Sequence, residues 1–392
     1  MSLTLIKNAH VFAPNDCGVL NVLVGGGRIL GLGTNLDISL SGCDSQMVTI
    51  VEANGQRLIP GLVDPLVHIS GGGGEGGFHT RTPEMKLTEA TLGGVTTVVA
   101  ALGTDASSRS LTELLAKAYA LRNEGISAYC YTGSYEVPVR TFSGSVRDDI
   151  MFIEAIIGVG EIAISDHRSS QPSVAELARI AADARVGGML SGKSGIVLVH
   201  VGDGAKLLSP LHDVVANSEI LPSQFYPTHI NRTQALLDAG VEFAKAGGFI
   251  DLTTSTTEQL LAGGEIAAAK ALSYALQQGV PVTQITMSSD GNASLPDFDK
   301  AGRLIGLQAG RVASLLESAA EAVANGLSIE SVVRSVSTNA ADILKLPHKG
   351  RIVTGADADL VLLDDNFKAQ QVWGKGRLLV ADYNACVSGH FG

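Results

Sequence analysis

Residues 59–75 read Ile59-Pro60-Gly61-Leu62-Val63-Asp64-Pro65-Leu66-Val67-His68-Ile69-Ser70-Gly71-Gly72-Gly73-Gly74-Glu75. A short apolar run ends on an imidazole and passes into four consecutive glycines, whose backbone can approach a ligand closely. A strand that delivers a histidine at its C-terminal end, ahead of such a loop, is how a parallel barrel builds the floor of a site. Taken alone, the same residues describe equally well a buried strand, a core histidine and a glycine turn. The surrounding sequence decides between the two.

Downstream, apolar β-type runs alternate with segments of three- and four-residue apolar spacing. The strands expected are Leu62–His68, Thr96–Leu102, Ala128–Gly133, Glu161–Ser165, Gly195–His200, Tyr226–His229, Phe249–Thr253 and Ile285–Ser289. Helices are expected at Leu111–Asn123, Val174–Ala184, Arg232–Lys245 and Gln259–Gln277. Eight strands alternating with helices over about 280 residues is the count and length of a (β/α)8 TIM-like barrel, here residues 59–345. A doubly wound sheet fits less well. The Gly71–Gly77 run meets G-x-G-x-x-G only by being nearly all glycine, and no helix follows it directly.

The two ends read differently. Thr4–Lys7, Val22–Val24, Arg28–Leu32 and Val48–Val51 are short β segments punctuated by Pro14-Asn15-Asp16 and Gly25-Gly26-Gly27. Ala358–Leu363, Gln371–Trp373 and Arg377–Val380 repeat the pattern, with Gly374-Lys375-Gly376 as a hairpin turn. Neither end buries a core alone, so residues 1–58 and 346–392 are expected to combine into one small β-sandwich domain.

Composition narrows the function. The chain is 45% hydrophobic and 17% charged with a net charge of −11, which opposes non-specific nucleic-acid binding. No apolar run approaches membrane length, and Met1 to His10 lacks the regions of a signal peptide. Cys17, Cys43, Cys130 and Cys386 are scattered and read as reduced core thiols of a cytoplasmic protein. No G-x-S-x-G elbow announces a serine nucleophile.

A barrel places its chemistry at strand C-termini. His68 ends strand one, Glu161 opens strand four with Ser165-Asp166-His167-Arg168 at its end, His200 ends strand five, His229 ends strand six and Asp290 ends strand eight. His10, His212, His348 and His390 read as surface or turn residues, and His79 lies in the loop after strand one. Imidazole and carboxylate donors converging from strands five, six and eight suit Zn²⁺.

These residues resemble the amidohydrolase superfamily: a Pro-Gly-x-x-Asp-x-His-x-His first strand, a bridging group on strand four, histidines on strands five and six, and an aspartate on strand eight. Within it, the isoaspartyl (β-aspartyl) dipeptidase family is resembled more closely still. The likeness rests on Gly71-Gly72-Gly73-Gly74-Glu75, Arg81-Thr82-Pro83-Glu84, Leu102-Gly103-Thr104-Asp105, Ala163 to Ser169, Pro227 to Arg232 and Ser288 to Asn292. Two departures stand out. Leu66 takes the place of the first strand-one histidine, and Glu161, one residue out of the family spacing, stands nearest the usual carboxylated lysine. The resemblance implies zinc, one or two ions per chain, with His68, Glu161, His200, His229 and Asp290 as ligands. Leu66 points to one tightly held ion at Glu161, His200 and His229 and a weaker one near His68 and Asp290.

The activity implied is hydrolysis of a dipeptide by a metal-activated water. Asp290 would be the general base, Tyr135 a donor to the developing oxyanion, Glu75 the partner of the substrate ammonium, Arg168 and Arg232 forks for carboxylates, and Thr104 and Ser294 further hydrogen-bonding groups. The resemblance also implies a homo-oligomer. Two rivals remain: an amidohydrolase of the dihydroorotase or hydantoinase kind acting on a cyclic amide or N-acyl amino acid, and a catalytically impaired binding homologue, which only Leu66 supports.

Overall fold

The computed structural model describes residues 3–37, 48–298 and 303–390. Eight parallel strands form the barrel: Leu62–Val67, Val95–Ala100, Ser127–Thr132, Ile156–Ile164, Ile196–Val201, Phe225–Thr228, Ile250–Thr253 and Ile285–Ser288. Strands one to six form one sheet, and seven pairs with eight. At the first seam the Asn231 side chain stands in for a ladder, receiving the Thr253 amide at 2.8 Å and donating to the Thr253 carbonyl at 3.0 Å. At the second, His68 N–H donates to the Gly291 carbonyl at 2.8 Å and Asp290 N–H to the Leu66 carbonyl at 3.1 Å. The first seam thus runs two residues past His229, and the second through His68 and Asp290 themselves, all expected metal ligands.

Strand four departs from expectation. It begins at Ile156, so Glu161 lies inside it rather than opening it. Val159 faces Val197 and Ile162 faces Val199, so Gly160 and Glu161 together stand opposite Leu198. This β-bulge absorbs the additional residue and re-aims a side chain. Val159 and Ile162 both pack in the outer core, which leaves Glu161 inward. Position 160 has to be glycine, because a Cβ there would lie 2.7 Å from that of Leu198.

Helices begin where local chemistry satisfies their free amides. Ser110 with Glu113 and Ser173 with Glu176 form capping boxes on Leu111–Glu124 and Val174–Ser191, and Gly125 and Gly192 end them. The helix expected over Gln259–Gln277 is instead two, Glu258–Ala262 and Ala268–Gln277, parted by Gly263-Gly264. The segment between them proves to line the site.

Both chain ends meet in one sheet of nine strands among the described residues, where Arg57–Pro60 pairs antiparallel with Leu360–Leu363. That sheet has its own core of Ile6, Val22, Ile29, Leu58, Leu360 and Trp373. Of the cysteines expected in the core, Cys130 is buried, but Cys17 and Cys386 are exposed; Cys43 lies outside the described residues. Among the described residues no helix is long and apolar enough to cross a membrane.

Candidate metal centre and substrate cavity

Residues spaced far apart in the sequence meet at the C-terminal mouth of the barrel. Glu161 Oε1 lies 2.9 Å from Nδ1 of His200 and 3.1 Å from Nε2 of His229. Its Oε2 is buried without a hydrogen-bond partner and faces Nε2 of His68 at 3.7 Å. His68 Nε2 is 3.1 Å from Asp290 Oδ1, another buried oxygen that no donor satisfies in hydrogen-bonding geometry. Buried polar atoms seldom go unpaired, so this concentration at one point calls for a positive charge among them. One donor atom each from Glu161, His200 and His229 fall within 4.8 Å of one another, and the carboxylate–imidazole set fits a divalent metal.

Two of the imidazoles are held neutral, the form in which an imidazole can ligate a metal. Burial pulls His200 down to about 3 and His229 to about 4, and the Arg232 charge pushes both further in that direction. His229 is oriented through Nδ1, 2.6 Å from the Thr253 hydroxyl. His200 presents Nε2 to Asp166 Oδ2 at 2.9 Å, the carboxylate–histidine–metal arrangement that fixes tautomer and ring direction. Burial opposes charge on His68, but Asp290 at 3.1 Å and the Glu161 charge raise its pKa. Burial likewise resists ionisation of Asp290, and His68 overcomes it, holding that carboxyl below the usual range.

Leu66 is fully buried in the barrel interior with Val99, Tyr131, Leu198 and Tyr226. It offers no donor, so the His68–Asp290 side of the centre has one nitrogen fewer than the family pattern supplies.

Above this floor opens a cavity of about 690 Å³, lined by His68, Glu75, Thr104, Tyr135, Arg168, His229, Arg232, Asp290 and Ser294. Every residue singled out from the sequence except the deeper Glu161 and His200 therefore faces one space. Another cavity, of about 530 Å³, lies near the N-terminal ends of strands three to five, beside Tyr129, Ile157 and Lys193, and holds none of them.

Glu75 rides on the glycine loop, which is pinned rather than loose. Arg109 donates to the carbonyls of Ser70, Gly72 and Thr82, and the Thr82 hydroxyl accepts the Gly72 amide at 2.6 Å. Gly71 runs at φ +78° with the Thr82 carbonyl 2.4 Å from where a Cβ would sit, so no other residue fits there. Glu75 accepts from Ser294 at 2.6 Å and, at 3.5 Å, from Thr104, and lies 3.4 Å from Nη1 of Arg168. Arg168 grips Asp166 with Nε at 3.0 Å and Nη2 at 2.8 Å. Arg232 Nη1 sits 3.7 Å from the same carboxylate. The Tyr135 hydroxyl lies 2.6 Å from Nδ1 of His200, the nitrogen that faces Glu161, so a metal held by these residues would compete with the hydroxyl for it.

Residues 57–379 match the amidohydrolase family model. The chain belongs to the amidohydrolase family. It is a hydrolase of that family, whose members are typically metal-dependent. Two solved structures of β-aspartyl dipeptidase from Fervidobacterium islandicum AW-1 are similar over 98% of both chains. One, in complex with the β-Asp-Leu dipeptide, is 44% identical with a TM-score of 0.90; the other is 42% identical with a TM-score of 0.87. Allantoinase from Salmonella choleraesuis is 32% identical over 95 residues, which is 24% of this chain and only 18% of that relative.

Asp166, Thr253 and Arg109 were not singled out as site residues from the sequence. Asp166 stands in the quoted Ser165-Asp166-His167-Arg168 stretch, one turn from a strand end, and that position was its only signal. Of its partners, Arg168 follows in the same loop, while His200 on strand five and Arg232 past strand six reach it only on folding.

Proposed function

We propose that this amidohydrolase is a zinc-dependent β-aspartyl (isoaspartyl) dipeptidase. The observation that carries the reading is the polar cluster of Glu75, Thr104, Ser294 and Arg168 beside a carboxylate–imidazole centre. A β-aspartyl dipeptide has one ammonium and two carboxylates, and the cavity answers with one carboxylate presented on a rigid loop and two guanidinium groups. Likeness to an enzyme solved with β-Asp-Leu adds support over nearly the whole chain.

Glu161, His200 and His229 would hold the tighter ion, with His68 and Asp290 beside it. Zinc held there supplies Lewis-acid character, lowering the pKa of water and polarising the scissile carbonyl. Asp290, kept ionised by His68, takes the proton of the attacking water and hands it to the leaving amine nitrogen. Burial and the Glu161 charge push the Tyr135 hydroxyl well above its ordinary pKa, so it stays a neutral donor for the carbonyl oxygen. Glu75 receives the substrate ammonium. The Nη1 edge of Arg168, not engaged with Asp166, and the half-exposed Arg232 receive the carboxylates. The unpaired Cys17 and Cys386 fit a reducing compartment such as the cytoplasm.

The test is release of leucine from β-Asp-Leu by purified protein, with α-Asp-Leu, dihydroorotate and hydantoin as comparison substrates, before and after chelation and zinc return. Zinc-restored cleavage of β-Asp-Leu alone is expected. Ring opening of a cyclic amide without dipeptide cleavage would replace this reading with the hydantoinase-like one.

A further inference from the structure

The unpaired polar atoms of the cavity fall into two groups. Those of His68, Glu161 and Asp290 surround the metal centre. Glu265 stands apart: its Oε1 is buried without a hydrogen-bond partner, and its side chain lines the cavity from the loop after strand seven. Burial raises its pKa against a Thr256 hydroxyl hydrogen bond, and Arg232 acts on it only as a charge at longer range. Arg232 itself points to His200 and Asp166, at 3.3 and 3.7 Å.

The segment carrying Glu265 is rigidly placed. Its own amide donates to the Leu260 carbonyl at 3.0 Å, while Ile266 next to it exchanges hydrogen bonds with Asn231, 2.9 Å to the backbone carbonyl and 2.8 Å from the side-chain amide. Asn231 lies two residues past His229, so the metal centre and this loop share one anchor. Apolar surface from Leu260, Leu295 and Pro296 lines the same cavity. Apolar walls beside a carboxylate with one buried oxygen unpaired match a side chain with a methylene stem and a cationic head.

We propose that Glu265 forms a subsite for a positively charged side chain on the residue released from the substrate, so that β-aspartyl-lysine and β-aspartyl-arginine are preferred over β-aspartyl dipeptides ending in apolar or acidic residues. The proposal rests on the dipeptidase reading. The stem of lysine or arginine lies along Leu260, Leu295 and Pro296, and its head completes the hydrogen bonding of Glu265 Oε1.

The experiment compares kcat/KM for β-Asp-Lys, β-Asp-Leu and β-Asp-Glu in the zinc-loaded enzyme, in Glu265→Gln and in Glu265→Lys, each checked by circular dichroism for a native fold. The parent is expected to favour β-Asp-Lys over β-Asp-Leu at least tenfold, mainly through KM. Glu265→Gln should erase most of that ratio, and Glu265→Lys should invert it in favour of β-Asp-Glu. Cleavage of all three dipeptides with no charge preference, or an equal loss on all three in Glu265→Gln, overturns the subsite and leaves the dipeptidase reading standing. Failure to cleave any of them overturns both.

Discussion

Replacing Leu66 with histidine should convert a one-ion centre into a two-ion centre. Leu66 is fully buried among Val99, Tyr131, Leu198 and Tyr226, and leucine and histidine are close enough in size for the site to accept the change. Without metal, the new imidazole is a buried polar group lacking a partner, at a cost of about 1–3 kcal/mol. Lost apolar burial adds roughly another 1–2 kcal/mol. Metal opposes this loss, because the new nitrogen would join His68, whose Nε2 already lies 3.7 Å from Glu161 Oε2 and 3.1 Å from Asp290 Oδ1. An ion present at a hundred times its dissociation constant adds about 2.7 kcal/mol, enough to restore most of the loss. Elemental analysis should rise from about one tightly held zinc per chain in the parent to about two in the variant, and denaturant unfolding should show a zinc-dependent gain larger in the variant. A parent that retains two ions per chain through exhaustive dialysis, or a variant that gains none, would refute the argument that Leu66 removes a donor that matters.

Three further outcomes follow from the geometry. Asp290→Asn should lower kcat by a factor of about 10²–10⁴ with little change in KM, as loss of a proton carrier does; stopped assays on β-Asp-Leu measure it. Arg168→Lys cannot hold Asp166 with two nitrogens and also offer a free edge to a substrate carboxylate; losing a charge-assisted hydrogen bond to substrate of about 1.5–3 kcal/mol should raise KM roughly ten- to a hundredfold. Asp64 is pushed up from 3.8 to about 7 by burial, so the folded chain keeps a proton that the unfolded chain releases. The sign is that of a raised acid: its contribution is most favourable below pH 4 and falls by up to roughly 4 kcal/mol by pH 7. Urea unfolding of Asp64→Asn across that range should lack this decline relative to the parent, and parallel pH profiles would remove Asp64 as its source.

Much of the barrel was legible because strand ends are marked twice, by an apolar run and by the polar residue that breaks it. His68, His200 and His229 are read that way, and the fold brings them together. What was hidden depends on partners far away in the chain. Strand four looked short because Gly160 and Glu161 interrupt its apolar alternation; only the neighbouring strand, with Leu198 opposite both, reveals a bulge. The helix from 259 to 277 looked continuous because apolar spacing persists across Gly263-Gly264, yet two glycines favour a break that the cavity wall exploits. Asn231 read as part of a motif, while its work of joining strand six to strand seven belongs to the backbone of Thr253.

The placement of the arginines ties metal and substrate together. A surface salt bridge contributes little, but Arg168 and Arg232 converge on Asp166, which in turn orients His200. Burial first, and the two positive charges after it, keep His200 neutral, as a ligand nitrogen has to be. The same guanidinium groups line the space where carboxylates of a dipeptide would come to rest. A substrate carboxylate drawing on these cations would offset the positive field at His200 while Asp166 holds the ring in place. The orientation of the ligand is thereby separated from the electrostatics of binding. Asp166 therefore belongs to the site through the groups it holds, His200 on one side and the two guanidinium groups on the other.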